Sequence, residues 1–109
     1  MEKLSKKAKK HLTYILNDIK RATMDSPVKS KVLEVRYGIG GVTVREIVHH
    51  CRAYMEEPIC SDANGYFYPK SKHEADHTLA QLKSRIKEIA IVVKGIEGFF
   101  ERENQGSLL

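Results

Sequence analysis

Three side chains suited to nucleic-acid contact share one side of a predicted helix near the middle of the chain. Arg45, His49 and Arg52 follow one another at spacing i, i+4 and i+7, and Thr43 lies at the start of the segment. The planar fork of arginine matches O6 and N7 of guanine, and an α-helix fits the major groove of duplex DNA. The spacing therefore predicts a base-reading helix. The alternative is a solvated helix face that happens to carry two arginines.

A second set of polar side chains has the types that bind zinc. His73 and His77 lie at i and i+4, near Cys60, Glu74 and Asp76 in the sequence. A structural zinc site needs four ligands, and the chain offers no second pair at ligand spacing. Solvated histidines in a first helical turn are the favoured interpretation, so we expect neither a metal nor any other cofactor.

Nucleophilic catalysis and phosphate-loop chemistry find little support. Cys51 and Cys60 form no CxxC pair and have no base at a recognisable spacing, and the Gly38–Gly41 stretch lacks the length and the Lys-Ser/Thr ending of a phosphate loop. We expect a protein that is not an enzyme. No secretory signal pattern is visible, so we expect a cytoplasmic protein with reduced thiols.

The base-reading helix belongs to a predicted helix-turn-helix over about 27–56. Pro27 is expected at the first position of a short helix, Gly38 at its left-handed C-cap, and Thr43 at the N-cap of the next helix. The short helix carries Val28, Val32, Leu33 and Val35, and the next helix carries its apolar residues on one face: Val44, Ile47, Val48, Cys51 and Met55.

A β-hairpin over about 58–69 follows directly, and a hairpin in that position is a wing. Asn64-Gly65 ends its turn, and the residues after it, Lys70 and Lys72, are expected with Asn64 to contact the DNA backbone. Asp62 lies at the tip, and its negative charge argues against a contact between the tip and a phosphate. The aromatic run 66–68 is expected mostly in the core rather than stacked on bases.

The first predicted helix, about 4–24, is basic on its outer side. Ala8, Leu12, Ile15, Ile19 and Ala22 form its apolar stripe, and Lys6, Lys7 and Lys10 are expected to contact phosphates. Residues 1–55 carry twelve basic and five acidic side chains, whereas the rest of the chain carries seven basic and nine acidic ones. This asymmetry favours a polyanionic partner, although a solvated lysine-rich helix gives the same pattern.

The last predicted helix, about 72–102, opens with a capping box at Ser71 and Glu74. It carries apolar residues at alternating spacings of three and four, as in a coiled coil, and we call these residues the α4 seam: Leu79, Leu82, Ile86, Ile89, Val93, Ile96 and Phe100. The far end of the seam exceeds what a small core can cover, which predicts a homodimer centred on Ile89, Val93, Ile96 and Phe100, in antiparallel or crossed packing. The stripe of the first helix is the internal competitor for the same surface.

Taken together, these elements predict a mostly helical α+β fold, a winged helix-turn-helix with a long N-terminal and a long C-terminal helix. One domain is expected over 1–103, followed by a frayed tail at 104–109. The longest apolar run, residues 89–93, is too short to span a membrane.

The chain also resembles small winged-helix proteins of bacteriophages and related mobile elements. The resemblance covers about 27–89 and rests on the segments VTVREIV (42–48), EPICS (57–61), NGYFY (64–68) and LKSR (82–85). It implies binding of double-stranded DNA in a bacterial host cell, in transcriptional control or replication. The sequence departs from that pattern at Asp62 and in its lysine-rich first helix.

Two hypotheses from different classes follow. The first is a sequence-specific DNA-binding protein, a phage or prophage transcriptional regulator or replication accessory. The second is a winged-helix module that docks proteins without reading DNA. A metal-dependent accessory enzyme is a remote third.

Overall fold

A computed structural model describes residues 3–108. It contains four helices and one two-stranded antiparallel sheet, which confirms the mostly helical α+β class. The elements are α1 (Lys6–Arg21), α2 (Ser30–Tyr37), α3 (Gly41–Tyr54), β1 (Cys60–Asp62), β2 (Gly65–Phe67) and α4 (Lys72–Leu108). The chain divides into two compact units, Met1–Asp76 and His77–Leu109, where the sequence predicted one domain over 1–103. We call them the N-terminal and the C-terminal unit.

The core of the N-terminal unit forms where α1 packs on α3. Ile15 and Ile19 of α1 and Ile47 of α3 are fully buried in one apolar cluster. The helical stripes predicted on both elements therefore face each other. Met55 is the exception: it is the C-cap residue of α3 and 42% exposed, because the chain leaves the helix there.

The helix α2 begins at Ser30, not at Pro27 as predicted. Val28 instead forms an antiparallel bridge with Tyr66, in which each backbone N–H donates to the other residue's carbonyl at 2.8 Å. Extended backbone at Val28 excludes a helical start before it. On α2, Leu33 is buried, whereas Val32 and Val35 are exposed.

The hairpin pairs Cys60 with Phe67 and Asp62 with Gly65. Cys60 and Phe67 are buried, and the Tyr68 hydroxyl donates to Glu57 Oε2 at 3.0 Å, so this aromatic run is packed against the protein. Gly65 has φ of +137°, and a Cβ at this position would overlap the Val28 carbonyl. The bridge at Val28 therefore requires glycine here.

The helix α4 opens as predicted and extends further than predicted. The Glu74 N–H donates to Ser71 Oγ at 3.4 Å, as in a capping box, and Glu74 Oε1 accepts from the Lys70 N–H at 3.0 Å, one residue before the N–H that a capping box uses. The helix continues to Leu108, beyond residue 102 and through most of the stretch predicted to fray; Leu109 lies outside the described residues. Within the described part of the chain, no helix is both long and apolar enough to cross a membrane.

Candidate nucleic-acid interface

A tight turn presents α3 at the surface. Gly38 adopts the left-handed conformation with φ of 63°, as predicted for the C-cap of α2, and Ile39 anchors the turn in the core. The N-cap of α3 is Gly40 rather than Thr43. Thr43 instead lies inside the first turn, and its N–H donates to the Gly40 carbonyl at 3.1 Å. The predicted N-cap was therefore wrong by about one turn, because the helix already begins at Gly41 with Gly40 as its N-cap.

The outward side of α3 carries Arg45 and His49, both exposed. The guanidinium of Arg45 extends over the first turn, with Nη1 3.3 Å from where a Cβ on Gly41 would lie. The Glu34 carboxylate borders the same position at 3.4 Å. The His49 ring meets the Tyr54 ring edge-on at 6.3 Å between centroids. Two of the three predicted reading side chains therefore stand on one accessible face.

Arg52, the third predicted reading residue, makes contacts within the protein. Its Nε donates to the Ile59 carbonyl at 2.8 Å, and Nη2 lies 3.3 Å from Ser61 Oγ. The guanidinium fastens α3 to the strand that begins the hairpin. These bonds direct the guanidinium group toward the hairpin, whereas Arg45 is exposed on the first turn of α3.

The hairpin tip uses its own acid to close the turn. Asp62 Oδ1 accepts the backbone N–H of Asn64 at 2.7 Å, and the Asn64 side chain is exposed. After the hairpin, Lys70 and Lys72 are exposed, and Lys72 Nζ lies 3.0 Å from Asp76 Oδ1. The tip therefore exposes the side-chain amide of Asn64. Of the two lysines after the hairpin, Lys72 is paired with Asp76, and Lys70 is exposed.

The lysines of α1 are held on the N-terminal unit by a cap that the sequence did not suggest. Ser5 Oγ accepts the Ala8 N–H at 3.2 Å, while Glu46 of α3 accepts from the Ser5 hydroxyl at 2.9 Å and from its N–H at 2.8 Å. Glu46 thus links the N-terminus of α1 to α3. Lys6, Lys7 and Lys10 are exposed beyond this tie.

A buried carboxylate joins α1 to α2. Asp18 accepts from Tyr37 Oη at 2.6 Å and from Arg36 Nη1 at 2.7 Å, and Arg21 donates to its other oxygen at 2.6 Å. Burial alone would raise the pKa of Asp18, but the hydrogen bonds from Tyr37 and Arg36 and the two arginine charges outweigh burial and lower it. The hydrogen bond to Asp18 raises the pKa of Tyr37.

The acids of the N-terminal unit are largely engaged inside it. Six of them accept hydrogen bonds from neighbouring groups and none of the six is fully exposed: Asp18, Glu34, Glu46, Glu57, Asp62 and Glu74. The lysines of α1, by contrast, point outward. The unit carries fourteen basic and ten acidic residues, and some of the basic ones are paired with these acids: Arg21 and Arg36 with Asp18, and Lys20 with Glu57.

The thiols and histidines lie in separate environments. Cys51 and Cys60 are buried free thiols, and burial, with a smaller effect of the Glu57 charge, raises the pKa of Cys51 to about 11. A thiol with this pKa is a poor nucleophile at neutral pH. His73 and His77 are exposed, and no cluster of three or more metal-binding side chains occurs in the described part of the chain.

The predicted dimer residues are exposed along α4. Ile89, Ile96 and Phe100 are about equally accessible, at 58–63%, and Val93 is 47% exposed. Ile86 is exposed on the same side of the helix. A row of large apolar side chains at this exposure is typical of an interface.

Comparison of the chain with protein-family models, with curated proteins and with solved structures finds no match. The function is therefore inferred from the residues and their geometry.

Proposed function

We propose that this protein is a sequence-specific double-stranded DNA-binding protein with a winged helix-turn-helix. In this proposal α2 and α3 form the helix-turn-helix, the hairpin with the Val28 bridge forms the wing, and α3 enters the major groove. The resemblance to phage and mobile-element proteins favours a role in the cytoplasm of a bacterial host, as a transcriptional regulator or replication accessory.

The observation that carries the proposal is the division of charge in the N-terminal unit. Six of its ten acids accept internal hydrogen bonds, while Arg45 and the lysines at the start of α1, Lys6, Lys7, Lys9 and Lys10, are exposed. Phosphate contacts need exposed cations, and base contacts need a donor on an accessible helix face. Both are present beside a hairpin whose tip exposes Asn64.

The exposed α4 seam supports a homodimer. A dimer supplies two reading helices to two half-sites, which matches the symmetry of many operators. The stripe of α1, the internal competitor for the seam, is already buried against α3. We therefore propose the dimer contact on α4, with Ile89, Val93, Ile96 and Phe100 at its centre.

Binding sites selected from random duplexes, followed by titration of the preferred site, test the DNA proposal. Replacing Arg45 by Ala should weaken binding to that site by about 1–3 kcal/mol, because a base contact is removed, and leave the melting temperature unchanged. Arg102→Ala on α4 is the matched control and should bind as the wild type does. Unchanged affinity and preference in the Arg45 variant would remove α3 as the reader.

Salt titration separates DNA binding from protein docking. DNA binding should weaken steeply as salt rises, because condensed counterions are released from the phosphates. A chain that selects no duplex and shows no affinity for DNA at low salt would instead favour the protein-docking alternative, for which the exposed Val32 and Val35 of α2 would be the first residues to examine.

A further inference from the structure

The charges that flank the α4 seam are arranged to complement a second copy running in the opposite direction. We propose that two copies pair through α4 as an antiparallel helix pair with its two-fold axis beside Ile91. This inference rests on the proposed homodimer and adds its orientation and register.

A second copy is the occupant because the seam is self-complementary in length and in shape. With the axis beside residue 91, the layers pair Ile89 with Val93, Ile86 with Ile96, and Leu82 with Phe100, each occurring twice by symmetry. All of these layers are apolar. The seam positions alternate at three and four residues, so the apolar pairing continues over residues 82–100, whereas Leu79 at the start of the seam lies opposite Glu103.

The residues on either flank of the seam favour this register over other alignments of the two helices. Lys83 and Glu97 are both exposed and lie on the same flank, seven residues before and seven residues after Ala90. In the antiparallel pair, Lys83 of each copy lies beside Glu97 of the other, and the two small Ala90 side chains meet near the axis. On the opposite flank Val92 meets its own counterpart. The result is two ion pairs on one flank, and on the other an apolar contact at Val92 with Arg85 of each copy beside Phe99 of its partner.

Other antiparallel registers lose this complementarity. Sliding one helix by a heptad in one direction places Asp76 beside Glu97, which is a repulsive pair. Sliding it in the other direction places Lys83 beside Asn104 and leaves Glu97 beside Ala90. Neither alternative pairs opposite charges on this flank.

A parallel pair also leaves the charges without partners. Flanking residues five apart along the sequence then approach each other, so that Glu97 faces Val92 and Lys83 faces Thr78. Only the antiparallel pair centred beside Ile91 satisfies both charges.

Charge reversal tests the proposed ion pairs between Lys83 of one copy and Glu97 of the other. In sedimentation equilibrium, Lys83→Glu and Glu97→Lys should each raise the dimer dissociation constant by roughly tenfold, since two attractive pairs become repulsive. The double variant carrying both changes should return to the wild-type value. Lys94→Glu makes the same charge change away from the seam and is the control. Equal weakening in the double variant would overturn the pairing.

Cross-linking tests orientation and register directly. Disulfides form only when the two Cα atoms are about 4.4–6.8 Å apart. Ile86→Cys and Ile96→Cys should each remain uncrosslinked alone, because the two copies of either residue lie about 15 Å apart along the antiparallel pair. Mixed together, with one chain carrying a mass tag, they should give a tagged–untagged disulfide dimer. The wild type, with its buried Cys51 and Cys60, is the background control.

Each outcome bears on a different statement. A mass near 12 kDa at micromolar concentration removes the homodimer itself. A dimer in which Ile86→Cys cross-links alone is parallel and overturns the orientation. A dimer that forms no disulfide between the Ile86→Cys and Ile96→Cys chains, and none in either variant alone, overturns the register. Binding of duplex DNA by the N-terminal unit is measured separately, and none of these results would contradict that proposal.

Discussion

At the residue scale, Arg45 and Arg52 illustrate how one residue type on one helix divides into two roles. Seven residues separate them, so they differ by almost two turns of α3. Arg45 is exposed over the first turn, whereas Arg52 is bonded to the strand at Ile59 and Ser61. The difference arises because the hairpin folds back onto the last turn of α3 and leaves the first turn accessible.

Replacing Arg52 by Ala should therefore destabilise the fold. Removing a charged hydrogen bond to a buried residue's carbonyl is expected to lower the free energy of unfolding by about 1.5–3 kcal/mol. Arg45→Ala, on the same helix, should change it by less than about 0.5 kcal/mol. Urea denaturation of both variants measures the contrast, and equal stabilities would show that the Arg52 bonds contribute nothing.

Asp18 gives the fold a defined response to acid. Its pKa is lowered in the folded state, so its contribution to stability is complete above the ordinary carboxyl value of 3.8 and is lost as the pH falls below it. Asp18→Asn should cost about 1–2 kcal/mol at pH 7. The difference from the wild type should shrink as the pH is lowered through the carboxyl range.

Denaturation of the Asp18 variant at pH 7 and at several acidic pH values measures this. Asp25→Asn is the control, since Asp25 is exposed in the loop before α2. A difference that stays constant down to low pH would mean that Asp18 acts through packing rather than through its charge.

At the element scale, the Val28 bridge couples the loop before α2 to the hairpin. It moves the start of α2 to Ser30 and imposes the requirement for glycine at residue 65. The sequence predicts the Asn-Gly turn correctly, because that preference is local. It does not predict the bridge, because Val28 and Tyr66 are far apart in the chain and Val28 also suits a helix.

Gly65→Ala should destabilise the hairpin and the loop together. The added methyl would collide with the Val28 backbone at a positive φ, which is expected to cost at least about 2 kcal/mol. Gly40→Ala is the matched control: no atom lies within 4 Å of its Cβ position, and the change should cost less than about 1 kcal/mol. Thermal melts compare the two variants. A similarly small loss of stability in both would mean that the Val28 bridge accommodates the added methyl group at little cost.

At the scale of the whole molecule, the proposed function depends on exposed charge around an apolar core. The lysines of α1 lie outside that core, and the cap formed by Ser5 and Glu46 holds their helix on α3. In the proposed complex these lysines contact phosphates, which set affinity without choosing a sequence.

Replacing Lys6, Lys7, Lys9 and Lys10 by Gln should flatten the salt dependence of DNA binding. The slope of log K against log salt is expected to fall by roughly 0.9 for each phosphate that is no longer neutralised, with the preferred sequence unchanged. Replacing Lys87 and Lys94 of α4 by Gln should leave the slope as it is. A new preferred sequence with the old slope would contradict the assignment of α1 to the backbone.

The sequence alone determines the features that depend on local spacing. The stripes of α1 and α3, the left-handed Gly38, the hairpin turn and the capping box at Ser71 each follow from residues within one or two turns of one another. The exposed face that carries Arg45 and His49 is predictable for the same reason, since a helix places residues four apart side by side.

Only the tertiary structure decides which polar groups remain available to a partner. Arg52 became a support because the Ile59 carbonyl came within reach when the hairpin folded back, and Asp18 became buried because Tyr37 and Arg36 closed over it. Val32 and Val35 stayed exposed because the other side of α2 faces the core. Periodicity records which side of an element is apolar, but a polar side chain takes its role from the groups that folding brings beside it.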